Sequence, residues 1–362
     1  MGRPKYVYRG KRRYRWVITA ALCLVIILIA LAIWLFTYMQ KFIVYDKDGL
    51  SVVLPFQRAE EAETAPEETA PVYVPSVDAE IVVEEPDYSD VILTDGELDP
   101  LSARYISAES MSSSNISYTG FQLTNSVDSA LVLQLKTEGG YLSYHSSVAL
   151  TDSYGVNGQE NIRDVLSSLK EQGVYLVAEI SCLQDTAMAT RNAPVALKNS
   201  AGEVISSAGG SWLDPYSKTA RSYVGDLIAE AADMGFDEVL LSGMTHPQTG
   251  DVQFSQEMTG APTIMGSVTT FAIRMSEQAR ELGMGCSVLC DASALRRGAS
   301  ADVGQDLELF TRVFDRLYVK TDMNYFTADI SALEDVLGGS VTGRIVPVVS
   351  GYTPVYDSWA WQ

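Results

Sequence analysis

From residue 101 onward the chain repeats one pattern: a short apolar run, then an amphipathic stretch, then another apolar run. ARYISAE, SALVLQLK, VYLVAEIS, FDEVLLSG, MGCSVLCD, RLYVKTD and RIVPVVSG each carry apolar side chains at successive positions, as strands buried on both faces do. Helical patterns such as NIRDVLSSLKEQG and SYVGDLIAEAADMG come before two of them. Alternating β and α with doubly buried strands demands a parallel sheet with helices outside it. Seven such strands in about 260 residues match the size of a (β/α)8 TIM-barrel-like domain with one element unrecognised. A doubly wound open sheet is the competing α/β arrangement, but no Gly-rich phosphate loop follows the first strand. MSSSNISYTGFQLTNSVD, where the first crossover helix should lie, is a poor helix former and speaks against the barrel.

The part before residue 101 divides by charge. Seven basic side chains and no acidic one occupy residues 1–15, and Trp16 to Gln40 then has no charged residue. That length of uncharged apolar chain crosses a bilayer as a helix. The basic flank places the N-terminus in the cytoplasm and everything from residue 41 outside. A cleaved signal peptide is the rival, and bulky Trp34, Leu35, Phe36 and Tyr38 at the exit of the span oppose it. Residues 41–56 read as a strand-like juxtamembrane piece with a DG turn signal. Residues 57–100 hold fourteen acidic side chains against Arg58 alone, a composition that reads as an extended spacer. The barrel then occupies 101–362. A formal net charge of -20 excludes a phosphate-tracking nucleic-acid surface, which needs clustered Lys and Arg.

Outside the span lie Cys182, Cys286 and Cys290. They read as small buried side chains, with a bridge from 182 to 286 or to 290 left open. No CxxC, HxH or HExxH spacing supports a metal, and no cofactor is expected. His145 and His246 fall after the second and fourth strands and read as surface-loop residues. Ser242-Gly243 does not form GxSxG.

VLSSLKEQGVYLVAEISCLQDTAMA and SWLDPYSKTARSYVGDLIAEAADMGFDEVLL resemble a family of glycoside-hydrolase-like domains from bacterial envelope proteins. The shared features are a strand after KEQG ending near Asp185, then Trp212-x-Asp214-Pro215-Tyr216-Ser217, Tyr223, and a helix closing on Gly235-Phe236-Asp237-Glu238; VGQDLELFTRVFDRLYVK matches further on. The likeness covers roughly residues 129–352. It implies an α-amylase-like barrel acting on polysaccharide or cell-wall glycan.

The departures sit at strand ends. Where the family continues into F-D-Y-V-R-F-P this chain has Leu241-Ser242-Gly243-Met244-Thr245-His246-Pro247, losing an acid and an arginine. Glu179 stands where an arginine is typical. Val346 to Gly351 replaces an R-P-W-L-Q-D-like run, and Lys320-Thr321-Asp322-Met323 replaces P-M-x-Y-P-S-H. Hydrolysis of a glycoside ordinarily needs two flanking carboxyl groups, so the expectation is a degenerate barrel that binds envelope glycan or a protein partner. A working hydrolase with relocated carboxylates, Glu179 and Asp291, is the alternative, and a structural envelope scaffold is the third reading.

Each candidate residue has a blander role beside the functional one. Glu179 in an apolar strand is either an acid facing the barrel mouth or the partner of a buried Lys or Arg. Asp291, ending the fifth strand, is catalytic in the hydrolase reading and otherwise caps ASALRRG; Asp322 has the same ambiguity as a substrate contact. Trp212, Asp214, Tyr216 and His246 are the expected substrate contacts, Trp212 by stacking. For Asp214 the preferred role is a helix N-cap with Pro215 at the first helical position.

Overall fold

The computed structural model describes residues 43–46, 49–52 and, between 100 and 361, all but 124–125, 127, 250, 256–262, 291–298, 301–303, 322–330, 332–343 and 350–358. The expected span 16–40, nearly all of the 57–100 spacer, Asp291 and Asp322 lie outside the described residues. No helix among the described residues is long and apolar enough to cross a membrane. Before residue 83, Ile43–Asp46 and Gly49–Val52 pair antiparallel, with Asp46 opposite Gly49.

After residue 83 the chain forms eight parallel strands closed into a barrel in sequence order. They are β1 (Ser102–Ile106), β2 (Ala130–Lys136), β3 (Tyr175–Ser181), β4 (Glu238–Ser242), β5 (Gly285–Cys290), β6 (Leu317–Lys320), β7 (Ile345–Val349) and β8 (Trp359–Trp361). The eighth, which the apolar-run pattern did not register, is three residues of SWAWQ. It closes the ring by pairing with Val348 and Val349 on one side and with residues 102–104 on the other. A strand this short shows no period of its own.

Helices cover the outside: α1 (Ser113–Leu123), α2 (Ala149–Ser153), α3 (Arg163–Glu171), α4 (Thr186–Arg191), α5 (Lys218–Asp233), α6 (Ile264–Glu281) and α7 (Leu307–Val313). The stretch judged a poor first crossover is therefore helical over eleven residues. It buries Ile116, Gly120 and Leu123, and a Cβ on Gly120 would lie within 2.2 Å of a Leu169 methyl on α3. Close packing decides this helix where propensity does not.

The strands alternate between two apolar compartments. Leu131, Leu133, Leu176, Ala178, Val239, Leu241 and Val288 face the helices, while Ala103, Tyr105, Val132, Val177, Leu240 and Tyr318 form a second cluster, the barrel interior. This is why each run is apolar at successive positions. Stops and starts follow local chemistry. Gly235 ends α5 at φ +89°, a left-handed closure that costs a glycine little. Ser217, Thr263 and Asp306 cap α5, α6 and α7 by accepting from the amides of Ala220, Gly266 and Leu309.

Two buried ionic assemblies tie the layers. Inside the barrel, Glu238 accepts from Arg316 at 2.7 Å, from Tyr175 at 3.0 Å and from Tyr318 at 3.2 Å. On the outside, Glu230 of α5 accepts from the Tyr144 hydroxyl at 2.7 Å, the Ser146 hydroxyl at 2.5 Å, and the Ser147 amide and hydroxyl at 2.6 Å each. Burial works to raise the Glu230 carboxyl, and these hydrogen bonds outweigh it, leaving its pKa below the ordinary value. A lowered folded-state pKa means stabilisation that is full above the unfolded-state value and is lost as pH falls through the folded one. Glu230→Gln should therefore lower stability by about 1–3 kcal/mol at neutral pH. The gap to the parent should narrow on acidification below the ordinary carboxylate range, as read by urea unfolding across pH.

Candidate functional site

Ligand sites of parallel barrels form where the strands' C-terminal ends open into loops. Here the loops after β3 and β4 build a groove. The chain after β3 returns on itself through isolated bridges, Gln184 with Trp212, Ala196 with Leu213, and Lys198 with both Val204 and Gln253. A two-residue hairpin, Ser206–Ser207 against Gly210–Ser211, projects beyond them. Between this loop and residues 245–251 lies a groove of about 860 Å³. Its chemistry is set by Gln184, Asn199, Glu203, Trp212, His246 and Asp251, with Ser206, Ser207, Thr249 and Gln248 adding hydroxyls and an amide.

β4 ends on a serine and a glycine turn. Ser242 is buried with its hydroxyl unpaired. Gly243 turns left-handed at φ +60°, and a Cβ there would meet the Ser181 hydroxyl at 2.2 Å, so the turn onto β3 requires glycine. The carbonyls of Ser242 and Gly243 accept from Cys182 and Gln184 at 2.8 and 3.0 Å, and the Met244 carbonyl accepts from Gln305 at 3.1 Å. The strand end is thus locked to its neighbours by main chain.

Of the expected contacts, the structure brings Trp212 and His246 together in the groove lining and takes Asp214 and Tyr216 out of it. Trp212 is only 5% exposed and donates its indole N–H to Thr245 Oγ1 at 3.2 Å. It supports the groove and presents little open ring face, which corrects the expectation of a stacking platform. His246 is 2% exposed, which corrects its reading as a surface-loop residue; His145 is exposed as expected. The His246 Nδ1 lies 2.9 Å from the Pro247 carbonyl, which can only accept, so Nδ1 carries the proton. Burial holds the imidazole below its ordinary pKa against that hydrogen bond, and Nε2 has no partner.

Asp214 accepts from the amides of Tyr216 at 2.9 Å and Ser255 at 2.6 Å. It ties the β3 loop to the β4 loop. The cap of α5 is Ser217, three residues further on, so Pro215 is not at a first helical position. Tyr216 is buried edge-on to Phe254 at 5.1 Å between ring centres; burial raises its phenol pKa.

Glu179 faces the barrel interior, buried at 1% exposure. Its partners are the Tyr105 hydroxyl at 2.5 Å and Gln134 Nε2 at 3.2 Å. Neither is the Lys or Arg weighed as its partner. Burial first, then the charge of Glu179, drives the Tyr105 phenol far above its ordinary pKa. Gln134 is visible in the sequence as a polar interruption of the apolar run SALVLQLK, but its pairing with Glu179 is not.

The sequence reading missed Lys136 and gave Asp185 no role beyond the family pattern. The β2 register shifts between Gln134 and Lys136, and Lys136, fully buried, meets Asp185 Oδ2 at 2.8 Å and the Ser181 carbonyl at 2.5 Å. Its ammonium lies 5.6 Å from the centre of the Tyr223 ring on α5. Asp185 also caps α4 through the Met188 amide at 2.8 Å. Asp185 and Tyr223, two marks of the family pattern, thus surround one buried lysine.

Cys182, Cys286 and Cys290 are all buried, and Cys182 is in no disulfide, so neither open pairing is formed; burial pushes the Cys182 thiol up to about 12, with Lys136 opposing. Among the described residues no group of three His, Cys, Asp or Glu side chains could hold a metal ion.

Comparison with known proteins agrees with the fold. The glycoside hydrolase domain of PgaB (BpsB) from Bordetella bronchiseptica superposes with a TM-score of 0.53 at 12% identity, covering 73% of this chain and 94% of that one. A hypothetical protein from Ruminiclostridium thermocellum is 21% identical over 51% of this chain and 96% of its own, with a TM-score of 0.45. The N-acetyl-beta-hexosaminidase of Streptomyces plicatus gives 0.45 at 11% identity over 69% of this chain, which spans only 47% of that enzyme. No curated protein matches the sequence. The model of one family, described as "Putative glycosyl hydrolase domain", matches residues 103–325, more than half of the chain. The chain belongs to that glycosyl hydrolase domain family.

Proposed function

We propose that this barrel is a glycan-binding member of its family that has given up hydrolysis, held outside the cell by an anchor at residues 16–40 and the acidic spacer. The observation that carries the reading is how three described acids on β3 and in the loop after it are occupied. Asp185 is paired with Lys136, Asp214 is consumed by two backbone amides, and Glu179 is closed in by Tyr105 and Gln134. A hydrolase needs two carboxyl groups about 5–9.5 Å apart across the bond, free to reach it. The groove in the loops after β3 and β4 is lined by amides, hydroxyls and two exposed carboxylates, Glu203 and Asp251, each held by the turn at Asn199 and Ser200; such groups hydrogen-bond sugar hydroxyls.

The full chain in detergent, assayed against cell-wall and storage polysaccharides, should bind without turnover. Ala208, an exposed residue of the groove lining, offers a block: Ala208→Trp should reduce binding by at least about tenfold, roughly 1.4 kcal/mol, with unchanged thermal stability. Turnover abolished by Glu179→Gln would instead establish the hydrolase. Protease added to intact cells should release the domain, and resistance without permeabilisation would reverse the orientation.

The burial of Trp212 favours a second reading, a scaffold that binds no sugar. Under it Ala208→Trp changes nothing on any glycan.

A further inference from the structure

The groove has a sign. Its two ionisable acids, Glu203 and Asp251, are exposed, come from opposite walls and meet the same turn. Asn199 Nδ2 donates to Glu203 Oε2 at 3.1 Å, while the adjacent Ser200 gives its amide and hydroxyl to Asp251 at 2.9 and 3.1 Å. These bonds leave both carboxylates further lone pairs at the groove. Among the described residues the one titratable base in the lining is His246, whose burial disfavours its charged form. Among the described residues no lysine or arginine lines the groove; Lys198 is next in sequence to Asn199, outside the lining. The remaining polar groups are amides and hydroxyls, which either donate or accept. The fixed surplus is therefore of negative, acceptor-only groups.

We infer that this groove selects a neutral, hydroxyl-rich glycan and rejects polymers that carry carboxylate or phosphate. The inference rests on the glycan-binding reading and deepens it. Sugar hydroxyls donate to the two carboxylates, making the charge-assisted bonds that are stronger than neutral ones. An acidic sugar placed there puts like charges together with no cation between them, and like-charge contact in a partly desolvated cleft is what excludes wrong partners. The whole chain's charge of -20 adds long-range repulsion of any polyanion at low salt.

The test compares matched polymers. Full-length protein in detergent is titrated with neutral polysaccharides and with the same polymers oxidised at C6 to uronates, so that linkage and shape stay fixed while charge changes. The oxidised forms should bind at least about tenfold more weakly at low ionic strength, and the gap should shrink as salt rises. Glu203→Gln/Asp251→Asn, which keeps shape and hydrogen-bonding reach, should bring the two forms within about threefold of each other, a difference of roughly 0.6 kcal/mol. Equal or tighter binding of the oxidised polymers, or a double variant that discriminates as the parent does, overturns the inference. If binding is blocked by Ala208→Trp yet indifferent to charge, only this inference fails. If no polymer binds at the groove, the glycan-binding reading fails with it.

Discussion

Lys136→Met should lower the free energy of unfolding by about 3–5 kcal/mol, the usual loss when one partner of a buried ion pair is removed. The substitution preserves most of the stem's volume, so the loss reports charge more than cavity. It strands Asp185, which is fully buried and whose Oδ2 has Lys136 as its ionic partner, and it deprives the Ser181 carbonyl of the Nζ donor. Urea unfolding of the full chain in detergent measures it. Adding Asp185→Asn should restore part of the loss, because the amide removes the orphaned charge while keeping an oxygen for the Met188 amide that caps α4. A single variant as stable as the parent would mean that the ammonium contributes nothing to holding β2, the β3 loop and α5 together.

A second loss of similar size, about 3–5 kcal/mol, is expected for Glu238→Ala. Glu238 is fully buried and is the shared acceptor for Arg316, Tyr175 and Tyr318. Removing it leaves a guanidinium inside the barrel without the carboxylate it meets at 2.7 Å. Burial by itself would lower the Arg316 pKa, and Glu238 together with Tyr318 and Tyr175 more than reverses that. Glu238→Gln should cost less, since it retains an acceptor for the tyrosines. If the two variants prove equally mild, the cluster is filling space and its charge is incidental. Both predictions concern the scaffold, the first through the β3 loop that also forms a groove wall and the second through the barrel interior.

The two assemblies also give a physical content to the family likeness. Asp185 and Tyr223 were marks of the pattern without a role, and they converge on Lys136, a residue the pattern did not include. Here they secure the packing of a helix and a loop on the barrel. At the β4 end, the carbonyls of Ser242 and Gly243 accept main-chain bonds and that of Met244 accepts from the Gln305 side chain.

What the sequence determined by itself is whatever depends on local periodicity. Runs apolar at every position require two apolar compartments, and so a parallel sheet with helices outside; seven of the eight strands follow from that rule. Gly235 as a helix end follows from backbone freedom at a single residue. The eighth strand did not follow, because three residues carry no period and are held only by pairing with β7 and β1. Nor did α1, whose weak helical composition is overruled by the fit of Gly120 against Leu169. The site depended still more on closure of the barrel. Glu179 stood out as a charge in an apolar strand, yet only the register of β1 and β2 supplies Tyr105 and Gln134 in place of a cation. Trp212 and His246 were legible as loop residues after strands, but burial follows from what packs over a loop, which no local pattern encodes. Glu203 and Asp251 are forty-eight positions apart in an exposed region with no motif. They share a groove because Asn199 and Ser200 bond to both, a contact that exists only once the loops after β3 and β4 have been brought side by side.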